Sequence, residues 1–417
     1  MNAKIIASTA FIFVCTWSLF GFPLLAAISA AIGFSSTTPS IAIRAITAGL
    51  SLYLILTRLK TTHRLYIFFF CAFWLAYTLR LYIDLEIEGR QFYNSAGVFW
   101  SWSIGACFLP ALAAAVSFSA SALVTIRRLG LWISICTTFL LITFGHNSVV
   151  NALGESIDIN RLNVSSLNPI SAGHAAATTI IISVSSFIFS KTSRLEKVAV
   201  VTSCGAGAYL LILSNSRGPV VSLTLAFTLL LLAKIQHKRL LSVTSFFIIG
   251  ALVAAYLNRS LLFDNTGILY RFEVITSGKD MSTAGRLIST SGAWHQFLEN
   301  PFFGNSLQEE ITKFYPHNVI LESLMSTGIT GGIAFVIMVA LALHASWAIL
   351  RTSAKDSWIA LISLQYIFGA QFSGAIYQSN TMWLSMSLVC ALWWICRKRR
   401  APHTEPAKRR SQPYTIS

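Results

Sequence analysis

Long apolar windows recur along almost the whole chain, and they restrict its fold more than any other feature. Each window holds 17 to 23 residues, the length that crosses about 30 Å of hydrocarbon as an α-helix. Because backbone polar groups inside hydrocarbon must be satisfied within the segment, helices are the expected structure. We therefore predict an all-α, polytopic integral membrane protein with about 12 transmembrane helices. The windows are 5–25, 41–57, 65–83, 97–119, 129–146, 171–190, 198–214, 218–234, 239–257, 328–350, 357–375 and 380–396.

Composition and charge distribution support the membrane assignment. Hydrophobic residues make up 55% of the chain and charged residues 11%, whereas about a quarter of a soluble globule is charged. The formal charge of +16 could suggest a nucleic-acid partner. However, basic connectors such as 58–64 alternate with acidic ones such as 84–88, as the positive-inside rule describes. The basic excess therefore indicates topology, and we expect no nucleic-acid partner.

The same alternation predicts the orientation of the chain. It places both termini in the cytoplasm and a large loop, residues 258–316, on the outer face between helices 9 and 10. Residues 1–400 then form a single integral membrane domain with membrane lipids around it. Residues 401–417 form a basic cytoplasmic tail, expected to be a disordered topological anchor, with a specific site for anionic lipids as the alternative.

The outer loop is the first place to look for function. It is about sixty residues of mixed polarity, and long loops on rigid scaffolds are where functional residues concentrate. The segment from Ala284 to Glu299 has apolar residues at helical spacing. We predict a short amphipathic helix there, lying near the membrane interface and ended by Asn300 and Pro301.

Three arginines are candidates for binding an anion on the outer face. Arg217 lies in the tight connector 214–219 between two windows, Arg286 lies in the large loop, and Arg161 lies in an upstream outer connector. Arginine matches phosphate oxygens bidentately and stays charged where water is scarce. The cluster predicts a lipid-linked phosphate or pyrophosphate as ligand. The alternative for each arginine is a side chain that only faces headgroups or solvent.

His317 is the candidate general base. Pro316 suits the first turn of a helix, and Asn318 precedes an apolar run that reads as helical. An imidazole at a helix N-terminus is disfavoured in its protonated form, and a neutral histidine can accept a proton. The alternative is a capping or interfacial histidine. Glu322 follows inside the same run, where an outer-face arginine is its expected partner; a structural and a catalytic role both stay open.

Taken in order, these motifs resemble the O-antigen ligase and O-antigen polymerase superfamily of bacterial envelope glycosyltransferases. The resemblance covers roughly residues 160 to 335, while the first helices match in hydropathy alone. Gly304-Asn305 departs from the pattern, since the family often has a second glycine there. The matching elements are Ser216-Arg217-Gly218, Gly285-Arg286, Trp294, Pro301, Gly304, His317-Asn318 and Gly328, with Arg161, Asn168-Pro169 and Gly173 as a weaker stretch.

The resemblance implies a location and a reaction. The location is the bacterial inner membrane, with the large loop in the periplasm. The reaction transfers a glycan from undecaprenyl pyrophosphate to a lipid A-core or glycan acceptor, with inversion and without cofactor or metal. Polymerisation of lipid-linked repeat units is the alternative, and a flippase of polyprenyl-linked sugars is a further one; the single large loop favours the ligase. The implied catalytic residues are His317, Arg286 and Arg217, and the implied substrate-binding residues are Arg161, Arg217, Arg286 and Asn318.

Overall fold

The computed structural model describes residues 3–33, 37–58, 63–145, 167–189, 193–234 and 281–400. Four predicted features lie outside these residues: the apolar window 239–257, the loop segment 258–280, Arg161 and the tail 401–417.

Helices form where the apolar windows predict them. We number the described helices in chain order. Three short π-helical turns extend or join these helices. Trp17–Gly21 joins α1 to α2, Ile83–Ile87 extends α4, and Ser101–Phe108 joins α5 to α6. The helices are α1 (Ala3–Thr16), α2 (Phe22–Ile32), α3 (Thr37–Thr57), α4 (Arg64–Tyr82), α5 (Ala96–Trp100), α6 (Leu109–Val116), α7 (Ala122–Phe144), α8 (Pro169–Phe189), α9 (Arg194–Leu213), α10 (Arg217–Ala233), α11 (Met281–Glu299), α12 (Val319–Thr352), α13 (Ser357–Ser373) and α14 (Asn380–Arg400).

The helical character and the membrane class are confirmed within the described part of the chain. There, eight helical spans are long and apolar enough to cross a membrane, and α10 is a shorter apolar helix. Helices α13 and α14 coincide with the last two predicted windows. The total of about 12 transmembrane helices and the position of the large loop stay predictions.

Helix α12 contains a sharp kink at Gly328, which divides a short first segment from a long second one. Gly328 has φ 61° and ψ −161°, a conformation open to glycine because it lacks a Cβ atom. A Cβ atom there would lie 2.3 Å from the carbonyl carbon of Phe302. The backbone of the preceding loop enters the kink, where Ile329 N–H donates to Pro301 O at 2.8 Å. The predicted window 328–350 begins at this kink, and the predicted helical run before it is confirmed.

Aromatic side chains fill the core between α4, α12 and α14. Trp383 is fully buried, and its ring centroid lies 5.0 Å from that of Trp74 and 5.5 Å from that of Phe73. Phe335 of α12 completes the contact at 5.5 Å from Trp383. Because transmembrane helices gain little from hydrophobic contact with one another, such close packing is a main source of their association. The core thus fixes α12 against α4, and with it the loop that precedes α12.

Helix α11 confirms the helix predicted in the outer loop. It ends at Glu299, immediately before Asn300 and Pro301, as expected. Its small residue Ala293 is buried against the protein, whereas Leu287, Trp294 and Leu298 are exposed. An apolar face that points away from the protein suits the membrane interface. The interfacial position of α11 itself stays a prediction.

Candidate functional site

The site is built on residues 300–318, which connect α11 to α12 and which we name the histidine loop. At its end, Asn318 is the N-cap of α12, because its side-chain oxygen accepts a hydrogen bond from Leu321 N–H at 2.9 Å. Helix α12 begins only at Val319. The expectation that Pro316 forms the first helical turn is therefore wrong: the chain is still in the loop at Pro316, and His317 precedes the cap.

His317 adopts a left-handed backbone conformation with φ 58°, which is uncommon outside glycine and is often found at functional sites. Its ring lies 4.6 Å from the Tyr315 ring and 5.5 Å from the Phe314 ring, measured between centroids. Its Nδ1 atom is buried without a hydrogen-bond partner among the described residues. The imidazole is thus held between two aromatic rings with one ring nitrogen not used by the fold.

Burial and the positive charge of Arg286 lower the pKa of His317 to about 4. The imidazole is therefore neutral at physiological pH, as the sequence predicts. The cause differs from the one expected, however. Desolvation of the charged ring is the larger cause, and repulsion by the Arg286 charge is the smaller one. The predicted cause was the dipole of the helix that follows His317.

Arg286 and His317 lie close enough for their electrostatic interaction, although 31 positions separate them in the sequence. Arg286 lies in α11 and is partly buried, and its charge acts on both Tyr315 and His317. Burial raises the pKa of Tyr315 to about 12, although the Arg286 charge works in the opposite direction. The helix and the loop thus present one arginine beside one neutral imidazole.

Arg217 is the first residue of α10 and lies at the end of a tight turn that we name the arginine turn, residues 214–216. Asn215 in this turn has φ 47°, and Ser216 is extended. The start of α10 packs on α13, because a Cβ atom at Gly218 would lie 3.8 Å from Phe372 Cβ. The partly buried Arg217 thus begins its helix at the C-terminal end of α13.

The cap residue Asn318 reaches the same end of α13. Its side-chain nitrogen lies 3.5 Å from the carbonyl oxygen of Gln371, the neighbour of Phe372. The end of α13 therefore joins the arginine turn to the histidine loop. The amide oxygen of Asn318 is already used as the helix cap. The predicted contact between Asn318 and substrate would therefore use an amide hydrogen, and it stays a prediction.

Glu322 has a different partner from the one expected. Its carboxylate is fully buried and accepts from the backbone N–H of Ile376, with both oxygens within 3.0 to 3.1 Å. Its described partner is thus backbone of the connector between α13 and α14 rather than an outer-face arginine. This bond ties that connector to the first segment of α12.

Sequence reasoning missed Arg80, which holds the histidine loop in place. Its guanidinium donates to four carbonyl oxygens at 2.8 to 3.1 Å, and it pairs with Asp84 one helical turn away at 3.3 Å. The other Asp84 oxygen accepts from Leu307 N–H at 2.7 Å. The sequence feature that could have identified Arg80 is its position near the end of an apolar window, with an aspartate four residues later. The four carbonyl oxygens belong to Phe303, Gly304, Asn305 and Ser326.

A second arginine, Arg90, also holds the histidine loop, from the connector that follows the π-helical turn Ile83–Ile87. It forms an ion pair with Glu310 at 3.6 Å and contacts Asn305 Oδ1 at 3.4 Å. The Asn305 amide in turn donates to Glu310 at 2.8 Å. Asn305, the position that departs from the resembled pattern, therefore has a defined place in this network, and the turn at Gly304 has φ 71°.

These features define a polytopic membrane protein with a partly buried arginine in each of α10 and α11 and a neutral histidine in the loop before α12. Residues 198–336 match the family described as O-Antigen ligase, and this segment contains Arg217, Arg286 and His317. This match supports the O-antigen ligase and polymerase superfamily, whose members are glycosyltransferase-like enzymes and which implies lipid-linked glycan substrates. The predicted resemblance is thereby confirmed. No curated protein sequence matches the chain.

Proposed function

We propose that this protein is an O-antigen ligase-like glycosyltransferase that moves a glycan from undecaprenyl pyrophosphate to a lipid A-core sugar. The observation that carries the proposal is the position of a buried, neutral His317 beside the charge of Arg286. Both residues lie in the segment that matches the family. A charged fork and a neutral imidazole are the two groups needed to hold a pyrophosphate leaving group and to accept a hydroxyl proton.

Arg286 and Arg217 bind the pyrophosphate of the donor in this proposal, with Arg161 as a third ligand. Their guanidinium groups match phosphate oxygens in bidentate pairs and stabilise the negative charge that grows on the leaving group. Such stabilisation is stronger in a poorly hydrated site than in water. The support in this chain is the partial burial of both Arg217 and Arg286.

His317 accepts the proton of the acceptor hydroxyl as that oxygen attacks the anomeric carbon of the donor glycan. A new glycosidic bond forms, the bond from the anomeric carbon to the phosphate oxygen breaks, and undecaprenyl pyrophosphate leaves with the electron pair. Attack from the face opposite the leaving group inverts the anomeric configuration. The scheme needs no cofactor, because the leaving group is already activated as a pyrophosphate ester.

Reconstitution distinguishes this reaction from its alternatives. The purified chain is placed in liposomes with an undecaprenyl-pyrophosphate-linked glycan and either lipid A-core or a second lipid-linked glycan. We expect the glycan to become attached to lipid A-core. Longer lipid-linked chains without such attachment would identify a polymerase. Movement of the donor across the bilayer without a new glycosidic bond would identify a permease and contradict both.

The proposed location is the bacterial inner membrane, with both termini in the cytoplasm and the site in the periplasm. The support is the alternation of basic and acidic connectors. Reporter fusions at residues 60, 194, 236 and 353 and in the tail are expected to report the cytoplasm, and a fusion at residue 290 the periplasm. A cytoplasmic signal at residue 290 would overturn the assignment of the active face.

A further inference from the structure

A cavity of about 340 Å³ lies next to the histidine loop, within the size range of ligand-binding pockets. The cavity is lined by α2, α8, α13, the start of α14, the π-helical turn Ser101–Phe108, the connector between α13 and α14, and the histidine loop. One lining residue from each, in that order, is Phe22, His174, Tyr366, Asn380, Trp102, Gln378 and Tyr315. Segments that are far apart in the sequence therefore line the cavity.

The chemistry of its wall favours an uncharged, hydroxyl-rich ligand. None of the described residues that line the cavity is a lysine, arginine, aspartate or glutamate, so a phosphate would find no counter-charge there. Aromatic rings, including Trp102 and Tyr366, alternate with amide and hydroxyl groups. Apolar surface with a few polar groups that fix orientation is the usual design of a small-molecule site.

Two amides on the cavity wall can bind the hydroxyls of such a ligand. Asn168 Oδ1 accepts from Ser171 N–H at 2.8 Å, which leaves its side-chain N–H groups as donors. Asn380 donates to Ser18 O at 3.0 Å, which leaves its side-chain oxygen as an acceptor. The cavity therefore offers a donor from the start of α8 and an acceptor from the start of α14. A sugar hydroxyl can use both, because it donates and accepts.

Tyr315 connects the cavity to the candidate base. Its side chain hydrogen-bonds Gln378 on the cavity wall, while its ring contacts the His317 ring at 4.6 Å between centroids. Arg286 acts on both Tyr315 and His317. The uncharged cavity and the region influenced by the Arg286 charge therefore adjoin at Tyr315 and His317.

We infer that this cavity is a sugar-binding subsite, which takes one uncharged sugar ring of the glycan substrates and places it beside His317. The inference rests on the proposed function, and it adds a second binding surface to the arginine site. The arginines hold the pyrophosphate, the cavity holds a neutral ring, and the histidine lies between the two. The ring can belong to the acceptor or to the donor, whose chemistry is the same at this point.

Sugar binding can be measured without turnover by saturation-transfer NMR on the full chain in nanodiscs. The probes are glucose, galactose and N-acetylglucosamine, with glucose 1-phosphate as the anionic comparison. We expect saturation transfer to at least one neutral sugar and weaker transfer to the phosphate. Ser373→Phe, which places a ring in the half-buried cavity wall, is expected to abolish the transfer. Thr228→Phe adds the same ring on the exposed side of α10 and should leave it unchanged.

A milder variant keeps the test decisive if Ser373→Phe fails to fold. Gln378→Ala removes one amide from the wall and should weaken sugar binding by about tenfold, the effect of one lost hydrogen bond to a ligand. No transfer to any neutral sugar by the unchanged protein would overturn the inference. Transfer that persists in both Ser373→Phe and Gln378→Ala would overturn it as well.

Steady-state kinetics then identify the source of the ring. A raised KM for the acceptor with unchanged donor binding in Gln378→Ala assigns the cavity to the acceptor sugar, and the reverse assigns it to the donor sugar. Unchanged values for both substrates would contradict a role in catalysis. If the unchanged protein binds sugar but transfers none, the proposed reaction fails while the sugar subsite stands.

Discussion

The histidine loop and the arginine turn support the same candidate site in opposite ways. The arginine turn is three residues long and is fixed by its neighbours: Ser214 Oγ donates to Leu211 O at 2.7 Å, and Asn215 N–H donates to Ile212 O at 2.9 Å. The histidine loop is fixed from a distance, because Arg80 donates to carbonyl oxygens more than 220 positions away. A long loop can therefore be held in place, provided that a distant side chain satisfies its backbone.

The arginine turn and the histidine loop are expected to tolerate different substitutions. A short turn between two packed helices has few conformations to lose, so its local sequence decides its shape. A long loop loses much conformational entropy when it becomes ordered, and tertiary bonds must offset that loss.

His317→Ala is expected to lower turnover by about 10² to 10⁴, the usual contribution of a general base. Donor binding should be preserved, because in the proposed mechanism the arginines rather than the histidine hold the pyrophosphate. The measurement is turnover and donor affinity on the same purified variant in liposomes. Loss of donor binding would make His317 a donor ligand, and unchanged turnover would leave it a structural residue.

Arg80→Ala is expected to lower the free energy of unfolding by about 3 to 5 kcal/mol, the cost of removing one partner from a buried ion pair. The Arg80 side chain is 12% exposed and its partner Asp84 is fully buried. Asn215→Gly in the arginine turn should change it by less than about 1 kcal/mol, because glycine accepts φ 47° without strain. Thermal unfolding in detergent compares the two variants. Equal shifts would contradict the contrast between distant and local support.

Arg217→Lys and Arg286→Lys are expected to weaken donor binding by about 10- to 100-fold, the loss of one hydrogen bond to a charged group. Lysine keeps the charge but cannot reproduce the planar fork of arginine. Arg128→Lys serves as the matched control, because Arg128 is an exposed residue of α7 outside the proposed site. Full donor affinity in both site variants would show that neither arginine recognises phosphate through its fork.

The pH dependence of turnover is expected to show no loss between about pH 8 and pH 5. His317 acts as a base in its neutral form, and its pKa is lowered to about 4, so activity falls only as the pH approaches that value. An unperturbed histidine would already lose activity near its ordinary pKa of 6.5. Arg286→Gln removes a charge that lowers the pKa, so the acidic limb should move to higher pH. An acidic limb near pH 6.5 in the unchanged protein would contradict a buried neutral base.

The lowered pKa of His317 also predicts that the stability of the protein depends on pH. Between about pH 4 and 6.5, the unfolded chain binds a proton at His317 that the folded chain does not. The contribution of this residue to stability is therefore present above pH 6.5 and is lost as the pH falls toward 4. His317→Gln should flatten this part of the pH dependence of unfolding, which thermal denaturation across the window measures.

Helix positions were predictable because hydropathy and helix-ending residues act locally. The predicted end of α11 at Asn300 and Pro301 follows from the restriction that a proline places on the preceding residue. The start of α12 was not predictable from Pro316, because Asn318 supplies the capping oxygen. A cap with a side-chain acceptor fixes a helix start more strongly than a proline that merely tolerates one.

The membrane class, the helical windows, and the arginines and histidine between those windows could be read from the amino-acid sequence. These properties depend on residue type and spacing, which hydrocarbon thickness and backbone hydrogen bonding translate directly into helices. The packing of the helices was needed to show that the charge of Arg286 acts on His317, that Arg80 holds the histidine loop and that Glu322 binds the Ile376 backbone. These contacts join residues that are distant in the chain, and their geometry depends on how the helices pack.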